Sequence, residues 1–216
     1  YDVEDFLGVF MKKIVMVFGL LLVLSGCAAN TKDKVEKSKS PQQTDKVQSS
    51  KKKDPVKTPE SSAPKKVELV GKTFEIDGDK YHINVLKEWQ DLALEDGVSL
   101  RVGNNDESEG LMVFGLKKGN LENFSAFKDL VSGDFISSDD ITVKTEGIEK
   151  KPFQTTRYQG ETYIVPLVSE GVKVSSRYYF LETETDYVVV ISIALPSFFE
   201  KNSDTMTSML ESFEAS

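Results

Sequence analysis

The strongest constraint on folding is an abrupt change in composition at residue 67. The preceding stretch, residues 28–66, holds eleven Lys and five acids, and its large apolar side chains are limited to a few valines. Such a stretch buries too little apolar surface to offset the conformational entropy lost on folding. From Val67 onward, aromatic residues and alternating apolar runs appear. We therefore expect a disordered tether over residues 27–66 and one folded domain over residues 67–216, long enough to bury roughly 70% of its chain surface.

Charge divides the chain at the same place. Residues 28–66 carry a net charge of +6, whereas residues 67–216 hold fourteen basic and twenty-seven acidic residues, a net charge of −13. The basic tether is interpreted either as a soluble spacer or as a segment attracted to anionic headgroups or wall polymers. The acidic domain disfavours nucleic-acid binding, because phosphate recognition needs a positive surface.

An apolar run near the N-terminus indicates export. Met11 is followed by two Lys and then by an uncharged run of eleven residues, Ile14–Leu24. Eleven helical residues rise about 16 Å, roughly half the hydrocarbon core of a bilayer. The run is therefore typical of a signal peptide, here residues 11–26, and is too short for a membrane span. Residues 1–10 begin with Tyr and place three acids before the signal, so we interpret them as upstream translated sequence.

The signal ends in Leu24-Ser25-Gly26-Cys27, which resembles the lipobox of bacterial lipoproteins. The resemblance implies cleavage between Gly26 and Cys27, and attachment of a diacylglycerol, with acyl chains such as palmitate, to the Cys27 sulfur. Two acyl chains hold a protein stably on a bilayer. The implied location is the extracytoplasmic face of the cell membrane, and we expect a Gram-positive bacterium. The alternative is an ordinary secretory signal with an incidental Cys.

Periodicity within residues 67–216 predicts strands, a helix, a long meander and a closing helix. Asp77-Gly78-Asp79 predicts a hairpin turn, and Gly160 and Gly171 predict two more. The first helix is expected over Asn120–Val131, capped by Asn120; the second opens with a Ser197/Glu200 capping box and runs toward Phe213, with an interruption near 202–204. The strands are expected at Val67–Val70, Lys72–Ile76, Lys80–Leu86, Val98–Val102, Leu111–Leu116, Ile141–Thr145, Phe153–Tyr158, Glu161–Val168, Val172–Thr183 and Tyr187–Ala194.

This order predicts an α+β fold, in which helices pack on an antiparallel sheet of about six to eight strands. Three segments carry a resemblance to the PsbP-like family over about residues 70–216. They are Tyr81–Val85 leading to Trp89, the meander ending in Tyr187–Ile191, and the closing Met209–Phe213. The resemblance implies a non-enzymatic binding or assembly factor, with a protein partner that the fold does not identify.

The sequence contains no recognisable catalytic, cofactor or metal motif. His82, the only histidine, is expected to be structural or solvent-facing, and the acidic loop Asn104–Glu109 lacks the spacing of an EF-hand. We therefore expect no catalytic residue, no cofactor and no metal site. Paired carboxylates occur in or beside predicted turns, at Asp139 with Asp140, at Glu107 with Glu109, and at Glu182 with Glu184 and Asp186.

Trp89, the sole tryptophan, follows a strand that also contains Tyr81. These two residues form a possible groove; the alternative is that Trp89 packs a helix or loop onto the sheet. The first hypothesis for function is thus an anchored, non-enzymatic binding or assembly module on the cell surface. The alternative is an extracytoplasmic hydrolase that uses a carboxylate pair. A pair converging in a concave pocket would favour the hydrolase.

Overall fold

The computed structural model describes residues 67–133, 141–143, 145–169 and 171–216. The predicted signal peptide, Cys27, the tether and the Asp139–Asp140 pair lie outside the described residues. Within them, eleven strands form two antiparallel sheets, and three α-helices pack on these sheets. The predicted α+β fold class is therefore confirmed, and none of the helices in the described ranges is long and apolar enough to cross a membrane.

The main sheet has eight strands in the order β3-β4-β5-β10-β9-β8-β6, and β7 also pairs with β8. A second sheet of three strands, in the order β1-β2-β11, was not predicted from the sequence. The strands are β1 Leu69–Ile76, β2 Asp79–Leu86, β3 Gln90–Asp91, β4 Val98–Gly103, β5 Gly110–Lys117, β6 Ile141–Val143, β7 Glu149–Gln154, β8 Gln159–Ser169, β9 Val172–Glu182, β10 Asp186–Ala194 and β11 Glu214–Ala215. The helices are α1 Phe124–Gly133, α2 Pro196–Lys201 and α3 Ser203–Glu211, with 3-10 turns at Lys118–Asn120 and Thr145–Gly147.

The small sheet begins with a hairpin whose loop has two residues. Asp77 and Gly78 have φ angles of +46° and +89°, and they join β1 directly to β2. Two consecutive positive φ angles match the right-handed twist of the flanking strands, and Asp-Gly adopts them readily. The hairpin turn predicted from these residues is therefore confirmed.

The centre of the main sheet is β10, which lies between β5 and β9. All nine of its residues are buried. Successive side chains point to opposite faces, so Val188 and Val190 contribute to one core while Val189 and Ile191 contribute to the other. A nearly continuous apolar strand is stable here because both faces of the sheet are covered.

The first core lies where the small sheet, α2 and α3 cover one face of the main sheet. Phe213 stacks on Tyr81 with ring centres 5.4 Å apart, and Phe74 stacks on Tyr81 at 6.0 Å. The three- and four-residue spacing of Met206, Met209 and Leu210 predicts one buried face for the closing helix, and all three side chains are buried. The helix ends at Glu211 and not near Phe213 as expected, but Phe213 is buried beside it.

The second core lies under α1, on the opposite face. Phe127 of α1 is fully buried and stacks on Phe114 with ring centres 5.9 Å apart. The helix begins at Phe124, so the predicted cap at Asn120 is wrong. Asn123 performs that function instead: its Oδ1 accepts a hydrogen bond from the Ala126 N–H at 3.0 Å.

Two further local predictions are wrong. Gly160 lies inside β8, and the turn before β8 spans 155–158; a Cβ at Gly160 would overlap the carbonyl oxygen of Phe180. Ser197 does not cap α2, which starts at Pro196 with no side-chain cap, because proline already suits the first helical position. The hairpin at Gly171, with a φ of +82°, and the interruption after Lys201 are confirmed.

Candidate functional site

A cleft of about 590 Å³ lies at one end of the two sheets. We call it the end cleft. Four pieces of chain form it: the start of β2, the turn before β8, the β9–β10 hairpin and the end of β11. Its lining residues are Asp79, Lys80, Tyr81, Arg157, Tyr158, Glu182, Thr183, Glu184, Thr185, Ala215 and Ser216.

The β9–β10 hairpin presents its polar side chains to the cleft because its turn is closed by hydrogen bonds. The Thr183 N–H donates to the Asp186 carbonyl oxygen at 2.9 Å, and the Asp186 N–H donates to Thr183 Oγ1 at 2.9 Å. The Thr183 hydroxyl in turn donates to the Asp186 carbonyl oxygen at 3.1 Å. Thr183 therefore fixes the backbone of Asp186 at the end of the hairpin turn.

The Asp186 carboxylate is fully buried and links the two sheets. Its Oδ2 accepts a hydrogen bond from the Tyr81 hydroxyl at 2.5 Å and another from the Thr185 hydroxyl at 2.7 Å. Burial, followed by the hydrogen bond to Asp186, raises the pKa of Tyr81. Tyr81 thus remains a protonated donor to the Asp186 carboxyl group.

Lys117 of β5 supplies the opposing positive charge. Its Nζ lies 3.8 Å from Asp186 Oδ1, which has no hydrogen-bond partner, and it also forms an ion pair with Asp79. The hydrogen bond from Lys117 holds the pKa of Asp79 below its usual range, and Asp79 raises the pKa of Lys117. Two carboxylates and one lysine therefore form a fixed cluster at the base of the end cleft.

Other acids around the end cleft are also paired. Glu182 lies 2.9 Å from Lys118 Nζ, and Glu214 forms an ion pair with Arg157. Glu184 is exposed on the β9–β10 turn. Glu182 and Glu184 thus do share a concave surface, while Asp186, the third member of their predicted set, is buried behind it.

The predicted groove residues are separated by the fold. Tyr81 lines the end cleft, whereas Trp89 is 3% exposed and stacks on Phe198 of α2 with ring centres 6.2 Å apart. Trp89 therefore packs a helix onto the sheet, which was the alternative reading, and does not line the end cleft. His82 is half-buried on the outer face of the small sheet, where its Nε2 lies 3.1 Å from Asn84 Oδ1.

The acidic loop Asn104–Glu109 is held by its own hydrogen bonds. Asp106 Oδ1 accepts from the Ser108 hydroxyl at 2.7 Å, and Asn104 Oδ1 accepts from the Glu109 N–H at 3.1 Å. Glu107 lies 3.0 Å from Arg101, and burial raises the pKa of Glu109. Within the described ranges, no group of three or more His, Cys, Asp or Glu side chains is placed to hold a metal ion.

The residues of the end cleft and its base that were not identified from the sequence include Lys117, Thr183 and Thr185. No local signal marks them, because Tyr81 and Asp186 are 105 positions apart and Lys117 lies on a third strand. The acid-rich β9–β10 turn was the only available indication, since it placed Glu182, Glu184 and Asp186 together.

Comparison with known families bears on the N-terminus. Residues 11–28 match the model of a prokaryotic membrane lipoprotein lipid attachment site. The chain is thus a membrane-associated lipoprotein anchored through lipid, as the lipobox predicted. Modification at Cys27 itself, cleavage after Gly26 and a Gram-positive origin stay predictions. A search of curated proteins found no match.

Comparison with solved structures returned low-identity matches. The solution structure of cyanobacterial PsbP (CyanoP) from Synechocystis sp. PCC 6803 matches with 10% identity and a TM-score of 0.49, over 74% of this chain and 100% of that one. LpqN of Mycobacterium tuberculosis, described as involved in cell envelope biogenesis, matches with 9% identity and a TM-score of 0.44, over 68% and 91%. The Saccharomyces cerevisiae Ran-binding protein Mog1p matches with 12% identity and a TM-score of 0.41, over 68% and 96%.

Proposed function

We propose that this lipoprotein is a non-enzymatic binding or assembly module that holds a protein partner at the extracytoplasmic surface of the membrane. The lipid attachment site supports the location. The end cleft supports the binding role, because it is a large, polar and concave surface that carries both signs of charge.

The observation that carries this proposal is the pairing of acids at the end cleft. Asp79 and Asp186 are held by Lys117, and Glu182 by Lys118. Acid–base catalysis by two carboxylates needs one group that is readily protonated. The pKa of Asp79 is lowered, so Asp79 is harder to protonate than an ordinary carboxyl group and does not meet that requirement. A fixed pattern of paired charges suits recognition of a complementary surface, where it favours one partner and register over others.

Site-specific photo-crosslinking in cells tests the proposal. A photoreactive residue is placed at Lys80, which is exposed and lines the end cleft. The matched control position is Lys87, an exposed lysine directly after β2 that forms an ion pair with Glu68 outside the cleft. We expect a discrete protein adduct from position 80 and none from position 87. The absence of an adduct at position 80, or the same adducts from both positions, would count against binding at the cleft.

A hydrolase that uses a carboxylate pair is the second candidate, favoured by the presence of Glu182 and Glu184 in one cleft. Purified cell envelope incubated with the chain would then release fragments, and Glu184→Gln would abolish that release while keeping the shape of the side chain. The binding proposal expects no release from either protein. If fragments were released and the release depended on Glu184, the hydrolase would replace the binding proposal.

A further inference from the structure

A second concave surface lies on the main sheet, away from the end cleft. We call it the sheet-face groove; its volume is about 460 Å³. Its floor is formed by Ile164, Pro166 and Val168 of β8, which pair with Arg177, Ser175 and Lys173 of β9. Strand β7 forms one side and the start of α2 forms the other. Small-molecule sites typically occupy about 300–1,000 Å³, so the groove is large enough for one small ligand.

The groove exists because the covering layer ends partway along β9. Side chains of every second residue in a strand point to the same face, so residues 177, 179 and 181 share one face of the sheet. Tyr179 and Leu181 are buried in the first core, whereas Lys173 is exposed. The cover of small sheet and helices therefore stops near Arg177, and the rest of the face forms the groove.

Arg177 stands at the boundary between core and groove. Its guanidinium lies 4.1 Å from the ring centre of Phe199. Its Nε is buried and has no hydrogen-bond partner, and Arg177 takes part in none of the ion pairs found within the described ranges. It also lies close to Tyr179, where it partly opposes the rise in the pKa of Tyr179 that burial causes. Stacking on Phe199 fixes the position of the guanidinium at the edge of the groove.

The groove is positive on a domain that is otherwise strongly acidic. It contains three cations, Lys151, Lys173 and Arg177, against two acids, Glu149 and Glu200. Lys151 and Glu149 form an ion pair at 2.5 Å, and Glu149 also interacts electrostatically with Arg177, so the groove carries one net positive charge. A guanidinium held in place, with a second cation on the same strand, is a typical arrangement for recognising a phosphate.

We propose that the sheet-face groove binds one molecule of an alkyl phosphate, with its phosphate on Arg177 and its alkyl chain along Ile164, Pro166 and Val168, while Lys173 at the other end of the floor adds positive charge to the groove. The phosphate matches the two cations in charge, and the apolar floor matches the chain. A single molecule can enter a concave groove between β7 and α2, whereas the surface of a bilayer cannot. This inference concerns a ligand and a surface different from those of the proposed function, so either can fail without the other.

Titration with hexyl phosphate tests the site. The protein is the mature chain, residues 27–216, with Cys27→Ser so that no lipid is attached. Inorganic phosphate and 1-hexanol are the comparison ligands, because each retains half of the proposed chemistry. Amide NMR shifts should saturate at Ile164, Ser175 and neighbouring residues, with an affinity at least tenfold higher for hexyl phosphate than for either comparison ligand. Equal affinity for hexanol, or shifts centred on the end cleft, would overturn the proposal.

Matched arginine variants identify the residue responsible. Arg177→Gln should weaken hexyl phosphate binding at least tenfold, whereas Arg157→Gln, which removes the same charge from the end cleft, should leave the affinity within twofold. Arg177 packs on Phe199, so the melting temperature of its variant is measured first. If that variant does not fold, Lys173→Gln at an exposed position decides the question, with an expected loss of at least threefold. The site would be refuted if the groove variant, Arg177→Gln or Lys173→Gln, bound hexyl phosphate with the same affinity as Arg157→Gln.

Vesicle sedimentation distinguishes a single molecule from a bilayer. The same unlipidated chain and its Arg177→Gln variant are mixed with phosphatidylglycerol or phosphatidylcholine vesicles. The basic tether is unchanged between the two proteins, so any difference reports on the groove. We expect equal sedimentation of both proteins with each vesicle type. Sedimentation with phosphatidylglycerol that is lost in Arg177→Gln would overturn the single-molecule proposal in favour of a headgroup bound at the membrane surface.

Discussion

Replacing Phe213 with Ala should lower the free energy of unfolding by about 3–5 kcal/mol, the cost expected for removing a buried phenylalanine from a core. Phe213 is fully buried, and its ring meets Tyr81 at 5.4 Å, Tyr158 at 5.5 Å and Phe74 at 6.2 Å between ring centres. Three rigid aromatic neighbours cannot collapse easily into the space that the missing ring leaves. We therefore expect a value in the upper part of that range.

The position of Phe213 adds to this expectation. It lies between the end of α3 and β11, which pairs with β2. The ring thus holds the closing helix, the last strand and the small sheet onto the main sheet at a single point. For a domain of this size, each kcal/mol shifts the melting temperature by about 2–4 °C, so Phe213→Ala should melt about 6–20 °C below the wild type.

Urea unfolding of the mature chain at 25 °C measures the effect, with Leu94→Ala as the control. Leu94 is 59% exposed, and its replacement should change the free energy of unfolding by no more than about 0.5 kcal/mol. We expect equal m-values for wild type and variant, because both proteins expose the surface of the same compact domain on unfolding. A loss below about 1.5 kcal/mol for Phe213→Ala, with an unchanged m-value, would show that this aromatic cluster is not a central part of the core.

Four other outcomes are expected. Asp186→Asn should cost about 1–3 kcal/mol in urea unfolding, because an amide replaces the buried carboxyl group that accepts two hydroxyl hydrogen bonds; an unchanged midpoint would contradict the assigned link between the sheets. Asp79 has a lowered pKa, so its contribution should be present above the unfolded pKa of 3.8 and disappear as the pH falls through its lower folded pKa. Asp79→Asn should therefore differ from the wild type in urea unfolding at pH 7 and converge with it at about pH 2; a constant difference would disprove the pairing with Lys117. Cys27→Ala should abolish labelling by radioactive palmitate, and retained labelling would refute the lipobox assignment. Limited trypsin digestion should cut first among Lys32–Lys66 and leave a core starting near Val67; early cuts within the core would refute the domain boundary.

Features that depend on neighbouring residues were predicted well from the sequence. The Asp77-Gly78 turn follows from the backbone preferences of two adjacent residues. The buried face of the closing helix follows from the three- and four-residue spacing of Met206, Met209 and Leu210. Such patterns have the same meaning wherever the segment lies, because they depend on local geometry.

Failures occurred where a neighbour distant in sequence decides between local alternatives. Asn120 and Asn123 are both acceptable caps, and the packing of Phe127 against Phe114 determines that α1 begins at Phe124. Gly160 predicts a turn because glycine is common in turns. In the structure it lies inside a strand, where the close approach of the Phe180 backbone requires a glycine. A one-dimensional pattern carries no information about either neighbour.

The sequence by itself determined that this chain carries a lipid attachment site, and it predicts export and a domain that begins beyond a basic tether, since each of these properties depends on composition and on the order of residues. Tertiary structure alone placed Tyr81 against Asp186, 105 positions apart, and left Arg177 at the edge of an uncovered sheet face. The physical reason is that burial and pairing of polar groups depend on which surfaces meet. Those contacts are set by the sum of many weak packing interactions across the whole domain.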